Sequence, residues 1–225
     1  MWRDAALVAE RDLRIELRSR VATNQVAPFA VLVLVLFAFA LDPDRGVLER
    51  ATPGLFWLVV LFSGLLAVSR SGSLDEADGT RDALRLSGLD PAGVFLGKVA
   101  ALVVELLLIE LLLVVGVAVL YGTALDGFAL MAATCVAAAV AVAATGSLYG
   151  ALVAGLRVRD TLLPVLLLPV LAPVLIGATR AFETSLGSIA SADAEGWAWC
   201  GLVAFFAVVY LVAGALAYGA LLEGS

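Results

Sequence analysis

Two carboxylates stand inside an otherwise apolar run, Glu105 and Glu110 in ELLLIELLLV. An ionisable side chain in such a segment is a functional candidate by default, as a relay or as half of a buried pair. Five residues separate them, about 140° around a helix, so they do not form one carboxylate pair. Glu110 lies about 18 Å along a helix from Lys98, near mid-membrane, with Glu105 closer to the interface. The plainer alternative is a carboxyl packed against a neighbouring helix. The chain has no histidine, which removes the commonest proton-relay, metal and haem ligand. Cys135 and Cys200 stand singly in apolar blocks, and no CxxC spacing exists. With Met131 they read as packing residues, so neither a metal site nor a bound cofactor is expected of this chain.

Gly93 and Gly97-Lys98 in GVFLGKV carry a faint look of a phosphate-binding loop. The spacing between the glycines is one residue short, and Val99 stands where a hydroxyl must reach magnesium. The string also continues a helix instead of following a strand. It is rejected, and any ATP chemistry belongs to another chain. Pro164, Pro169 and Pro173 fall in one apolar block, where each removes a backbone hydrogen bond and kinks a helix. They form either a bending element or a static kink. Gly146 and Gly150 have the small-xxx-small spacing that lets helices approach closely, most simply as an internal packing surface.

Membrane spans must hold these residues in place. The chain is 63% hydrophobic with a mean hydropathy of +1.06, against about half apolar in a soluble domain. An all-α integral membrane protein is expected, as one domain over residues 1–225. Its net charge of −6 argues against a nucleic-acid partner. Apolar blocks fall near 26–41, 53–69, 97–121, 127–156, 161–178 and 196–222, giving six spans. Residues 2–21 read as an amphipathic helix with Trp2, Ala6, Ala9, Leu13 and Leu17 on one face, lying in the lipid interface. The charge density of 2–20 excludes a signal peptide. Arg45, Arg50 and Arg180 fall on one side of the spans and the other eleven basic residues on the opposite side. That bias puts both termini and the connections 70–98 and 157–160 in the cytoplasm. The loop 179–195 is then external, with room for a short surface helix over 180–189.

The 70–98 connection is the long polar segment on the cytoplasmic side. Asp78-Gly79-Thr80 offers caps, 81–87 is helix-compatible, and Gly88 supplies a left-handed stop. A second helix starts at Asp90-Pro91 with Asp as cap and Pro in the first turn. A short capped helix between two spans either docks a partner or merely turns the chain.

Several strings resemble one family: the permease subunit of the haem exporter used in cytochrome c maturation, an ABC-2-type membrane protein. They include ERDLRIELRSR at 10–20, FAFA at 37–40 and WLVVLFSGLLAVSR at 57–70. Asp78-Gly79, LRLSG at 84–88 and Gly97-Lys98 resemble its cytoplasmic loop. The most specific are LLPVLLLP at 162–169 and PVLI at 173–176. One departure is ELLLIELLLV, where many family members carry a proline-containing leucine run.

The resemblance implies a type V exporter-like permease in the inner membrane, and not an enzyme itself. It implies a partner ABC ATPase, which holds ATP and magnesium. It also implies a second membrane protein that handles haem, or a second copy of this chain, and an external haem chaperone. The work of the complex would be haem export or release of the loaded chaperone. The loop would be the coupling helix on the ATPase. Its polar rim would comprise Asp75, Glu76, Asp78, Asp82, Arg81 and Arg85, with apolar Leu84 and Leu86 and turns at Gly79 and Gly88. Two other readings stay open: an ABC-2 permease for a drug, lipid or glycan, and a stand-alone proton-coupled carrier using Glu110.

Overall fold

The computed structural model describes residues 1–19, 26–41, 45–77, 88–122, 127–153, 159–186 and 193–223. Among these residues there are seven α-helices and no strand. They are α1 Trp2–Ser19, α2 Ala27–Leu41, α3 Arg45–Ala77, α4 Pro91–Leu120, α5 Phe128–Leu152, α6 Arg159–Ser185 and α7 Asp193–Glu223. Within α3 to α7 lie five stretches of 25 to 30 residues that are long and apolar enough to cross a bilayer. The chain is an all-α, multi-pass membrane protein.

Six spans are expected from the apolar blocks. The sixth candidate, α2, is apolar throughout, but its 15 residues reach only about 22 Å, short of a hydrocarbon core of about 30 Å. Three boundaries also differ from expectation. Helix α3 already begins at Arg45 and carries Pro53 inside it, so 45–52 is helix and not loop. It continues past Arg70 to Ala77, because hydropathy falls there while SGSLDEA contains no proline. Helix α6 runs unbroken through Pro164, Pro169 and Pro173 to Ser185, so 180–185 is its last part and not a separate surface helix. Residues 187–189 of that expected helix lie outside the described residues.

The alanine-rich α5 is the central packing element. Small side chains let α3, α4, α6 and α7 all close on it. A Cβ on Gly146 would collide with the Val68 side chain, and one on Gly150 would sit 3.6 Å from it, so this glycine pair receives α3 internally. At one end of the bundle Phe56, Trp57 and Phe182 pack ring to ring, with centroids 4.6 to 5.2 Å apart. There the Gly127 N–H also donates to the Ser185 carbonyl at 3.0 Å, tying the start of α5 to the end of α6. At the other end Phe95 packs on Tyr218, centroids 5.4 Å apart, and fills the space left by Gly214.

The proline-rich helix has a tether. Tyr210 of α7 donates its hydroxyl to the Val170 carbonyl at 2.7 Å, between Pro169 and Pro173.

Candidate functional site

The entry into α4 is built as the sequence predicts. Gly88 sits at φ 67°, the left-handed conformation that a Cβ disfavours. Asp90 is the N-cap, its carboxylate accepting from the Ala92 N–H at 3.2 Å, and Pro91 occupies the first turn. The connection from α3 therefore ends on a fixed turn. Asp78, Gly79, Arg81, Asp82, Leu84, Arg85 and Leu86 lie outside the described residues, so the expected 81–87 helix does too. Asp75 and Glu76 are in the final turn of α3, not on a separate short helix.

Helix α1 packs along the beginning of α4. Gly93 and Gly97 form a notch there. A Cβ on Gly93 would lie 2.7 Å from the Met1 carbonyl oxygen, and one on Gly97 2.6 Å from the Ala5 carbonyl oxygen and 2.7 Å from Val8 Cβ. The glycines that faintly resemble a phosphate loop are thus a helix-docking surface. Their four-residue spacing is the signal that would have found it.

Contacts advance together along both helices, from Met1 and Asp4 at Gly93 to Ala5 and Val8 at Gly97, then Asp12 at Lys98. The two helices therefore run in the same direction. Helix α1 has three faces. Ala5, Val8, Asp12 and Glu16 turn toward the bundle, with Val8 fully buried. Trp2 and Leu17, from the expected apolar stripe, lie outside at 74% and 75% exposure. Arg3, Glu10, Arg14 and Arg18 form an exposed charged face.

A polar seam runs through this junction. The Arg70 guanidinium donates to Glu16 Oε1 at 3.0 Å. The Lys98 ammonium, buried, lies 3.6 Å from Asp12 Oδ2, and Arg11 donates to Asp12 Oδ1. Asp4 Oδ2 accepts from the Asp90 N–H at 3.4 Å and from the Met1 ammonium at 3.1 Å. The hydrogen bond from the ammonium, then the one from Asp90, holds the Asp4 carboxyl below the usual aspartate range. Loop-exit cap, α3 and α4 are thus all bonded to one face of α1. A hydrophobicity profile registers these residues only as interruptions, which is why the seam is not legible from composition.

The two intramembrane candidates separate in space. Glu105 is partly buried beside Arg70 and Glu16, within the seam. Glu110 is buried at 1% exposure, with the Cys135 thiol of α5 as a polar neighbour. Neither of its oxygens has hydrogen-bond geometry to any partner among the described residues. Among the described residues no group of three His, Cys, Asp or Glu side chains is arranged to hold a metal.

The comparisons with known proteins agree with the resemblance read from the strings. A family model described as "CcmB protein" matches residues 3–225. "Heme exporter protein B" of Escherichia coli K12 is 41% identical over 174 residues, 77% of this chain and 79% of that one. "Heme exporter protein B" of Haemophilus influenzae is 29% identical over 178 residues, 79% of this chain and 80% of that one. With the match spanning helices α1 to α7, this chain belongs to the CcmB protein family.

Proposed function

We propose that this chain is the membrane half of an ATP-driven complex that exports haem, or releases a haem-loaded chaperone, during cytochrome c maturation. It works as one permease domain in the inner membrane, with both termini cytoplasmic. A partner ATPase holds the ATP and magnesium and seats on the 70–98 connection. A second membrane protein that handles haem, or a second copy of this chain, completes the membrane part, and a chaperone receives haem outside. Helix α1 runs beside the start of α4, with Trp2 and Leu17 turned away from the bundle. The supporting observation is the built exit of the connection, where Gly88, the Asp90 cap and Pro91 fix the path into α4. Such a fixed root would hold a docking segment in register against the spans. The absence of histidine is consistent with haem being cargo ligated elsewhere in the complex. Deleting the gene tests the cargo. The expected result is loss of covalently haem-stained c-type cytochromes with b-type spectra retained. Normal c-type cytochromes would turn the reading toward a permease for another cargo.

Orientation has its own test. Cys135 and Cys200 are both buried, so single added cysteines report cleanly. Ala190→Cys should react with an impermeant maleimide added to sealed cells, and Ala83→Cys should not. Both positions lie outside the described residues. Labelling of Ala83→Cys from outside would reverse the topology.

The carrier reading rests on Glu110. A carboxyl that relays protons is exchanged for glutamine only with loss of transport, whereas a packed carboxyl tolerates a near-isosteric amide. We expect Glu110→Gln to keep cytochrome c maturation within about twofold of wild type, since a volume-conserving exchange costs roughly 1.5 kcal/mol or less. Abolished maturation with normal membrane levels of the chain would reinstate the relay.

A further inference from the structure

A cleft of about 330 Å³ lies at the far end of α4 from its junction with α1, between Ala38 and Phe39 of α2, Leu48 of α3 and residues 119–122. That size falls within the range of small-ligand sites, about 300–1,000 Å³. No charged side chain lines it. The two hydroxyls at its walls are already used. Tyr121 donates its hydroxyl to the Leu34 carbonyl at 3.1 Å, and Thr52 donates to the Leu48 carbonyl at 2.8 Å. The polar surface that remains is main chain. A helix ends in carbonyls without helical donors and carries partial negative charge there. The Tyr121 N–H satisfies the Val117 carbonyl at 3.0 Å, but no described residue donates to the carbonyls of Val119 or Leu120. Gly122, at φ 67°, turns the chain immediately after them.

The mouth of the cleft opens on the lipid side. Phe39 is 78% exposed and Val119 75%. Leu36 and Val115, one turn before them on α2 and α4, are exposed as well. The rim thus continues two apolar surfaces of the kind that a bilayer covers. An acyl chain suits these side chains. A head that donates hydrogen bonds and carries positive charge suits the open carbonyls, whereas an anionic head meets the negative end of the helix.

We propose that this cleft binds one phospholipid with a primary-ammonium headgroup, the chemistry of phosphatidylethanolamine. Its acyl chain lies against Phe39, Leu48 and Val119, and its ammonium donates to the carbonyls of Val119 and Leu120. The lipid completes the wall where α2, α3 and α4 do not close on one another. On the orientation proposed above it belongs to the outer leaflet. The binding itself rests neither on that orientation nor on the identity of the cargo.

Native mass spectrometry of the full chain in mild detergent, mixed with equal amounts of phosphatidylethanolamine and phosphatidylglycerol, reads the site. One phosphatidylethanolamine should stay on each chain, favoured over phosphatidylglycerol by about threefold or more. Ala38 is only partly buried, so Ala38→Trp should fill the cleft and lower retention several-fold. Leu108→Trp places the same ring on the exposed side of α4, away from the cleft, and should leave retention unchanged. A phosphatidylethanolamine with a photoactivatable acyl chain should attach to the wild-type chain at Ala38, Phe39, Leu48 or residues 119–122. That attachment decides the matter even where Ala38→Trp fails to reach the membrane. Retention of neither lipid, equal retention of both, undiminished retention by Ala38→Trp, or attachment confined to other surfaces would overturn the proposal.

Discussion

Gly97→Val is expected to strip α1 from the bundle. The first added carbon would meet the Ala5 carbonyl oxygen at 2.6 Å and Val8 Cβ at 2.7 Å. A backbone oxygen cannot rotate away as the end of a side chain can, so the helices must separate. Overpacking of this kind costs about 1–3 kcal/mol. Separation also withdraws Asp12 from Lys98, whose ammonium is buried. The spans make their own contacts through α5, so membrane insertion should survive. Val8→Cys, buried in the wild type, provides the readout. Its reaction with a soluble maleimide should rise at least about tenfold in the Gly97→Val background, the factor that 1.4 kcal/mol supplies. Gly201→Val is the control, because nothing lies within 4 Å of a Cβ there. Unchanged protection of Val8→Cys in Gly97→Val would show that the notch does not hold α1.

The spans were legible because hydropathy over about 20 residues is the strongest signal a membrane protein carries. Their ends were less so. At 70–77 and 179–185 polarity rises while the backbone stays helical, and polarity is what a hydropathy reading measures. The exit of the connection was readable in detail, since Gly88, Asp90 and Pro91 act through their own backbone preferences. The α1–α4 junction was not. Its glycines have meaning only with α1 against them, and its ion pairs join residues as far apart as Glu16 and Arg70 or Asp12 and Lys98. Amphipathicity picked out Trp2 and Leu17, which face away from the bundle, but missed the mixed stripe of Ala5, Val8, Asp12 and Glu16. Two charged members hide that stripe from any hydrophobic pattern.

Leu84→Asp is expected to uncouple the chain from the proposed partner ATPase while leaving it in the membrane. The substitution falls in the polar connection, so no span is altered. Ala83, Leu84 and Leu86 are too few to form a core of their own, and their apolar surface needs a partner to cover it. On the proposed coupling helix Leu84 and Leu86, two apart, would not fully share one face, so one would turn to the membrane helices and the other to the partner. In the proposed contact Leu84 would be the partner-facing residue, and Asp75, Glu76, Asp78 and Asp82 with Arg81 and Arg85 would form the rim that sets register. A carboxylate buried at the centre of such a contact without a partner costs about 3 kcal/mol or more. That corresponds to at least about a hundredfold weaker association.

Recovery of the partner measures this directly. The full-length chain, carrying an affinity tag at its C-terminus, is purified from native membranes in mild detergent, and the ABC-type ATPase that accompanies it is quantified. Near-stoichiometric ATPase is expected with the wild-type chain, and little or none with Leu84→Asp at equal membrane level. Equal recovery with both chains and unchanged cytochrome c maturation, or no ATPase with the wild type, would contradict the coupling role proposed for the 70–98 connection.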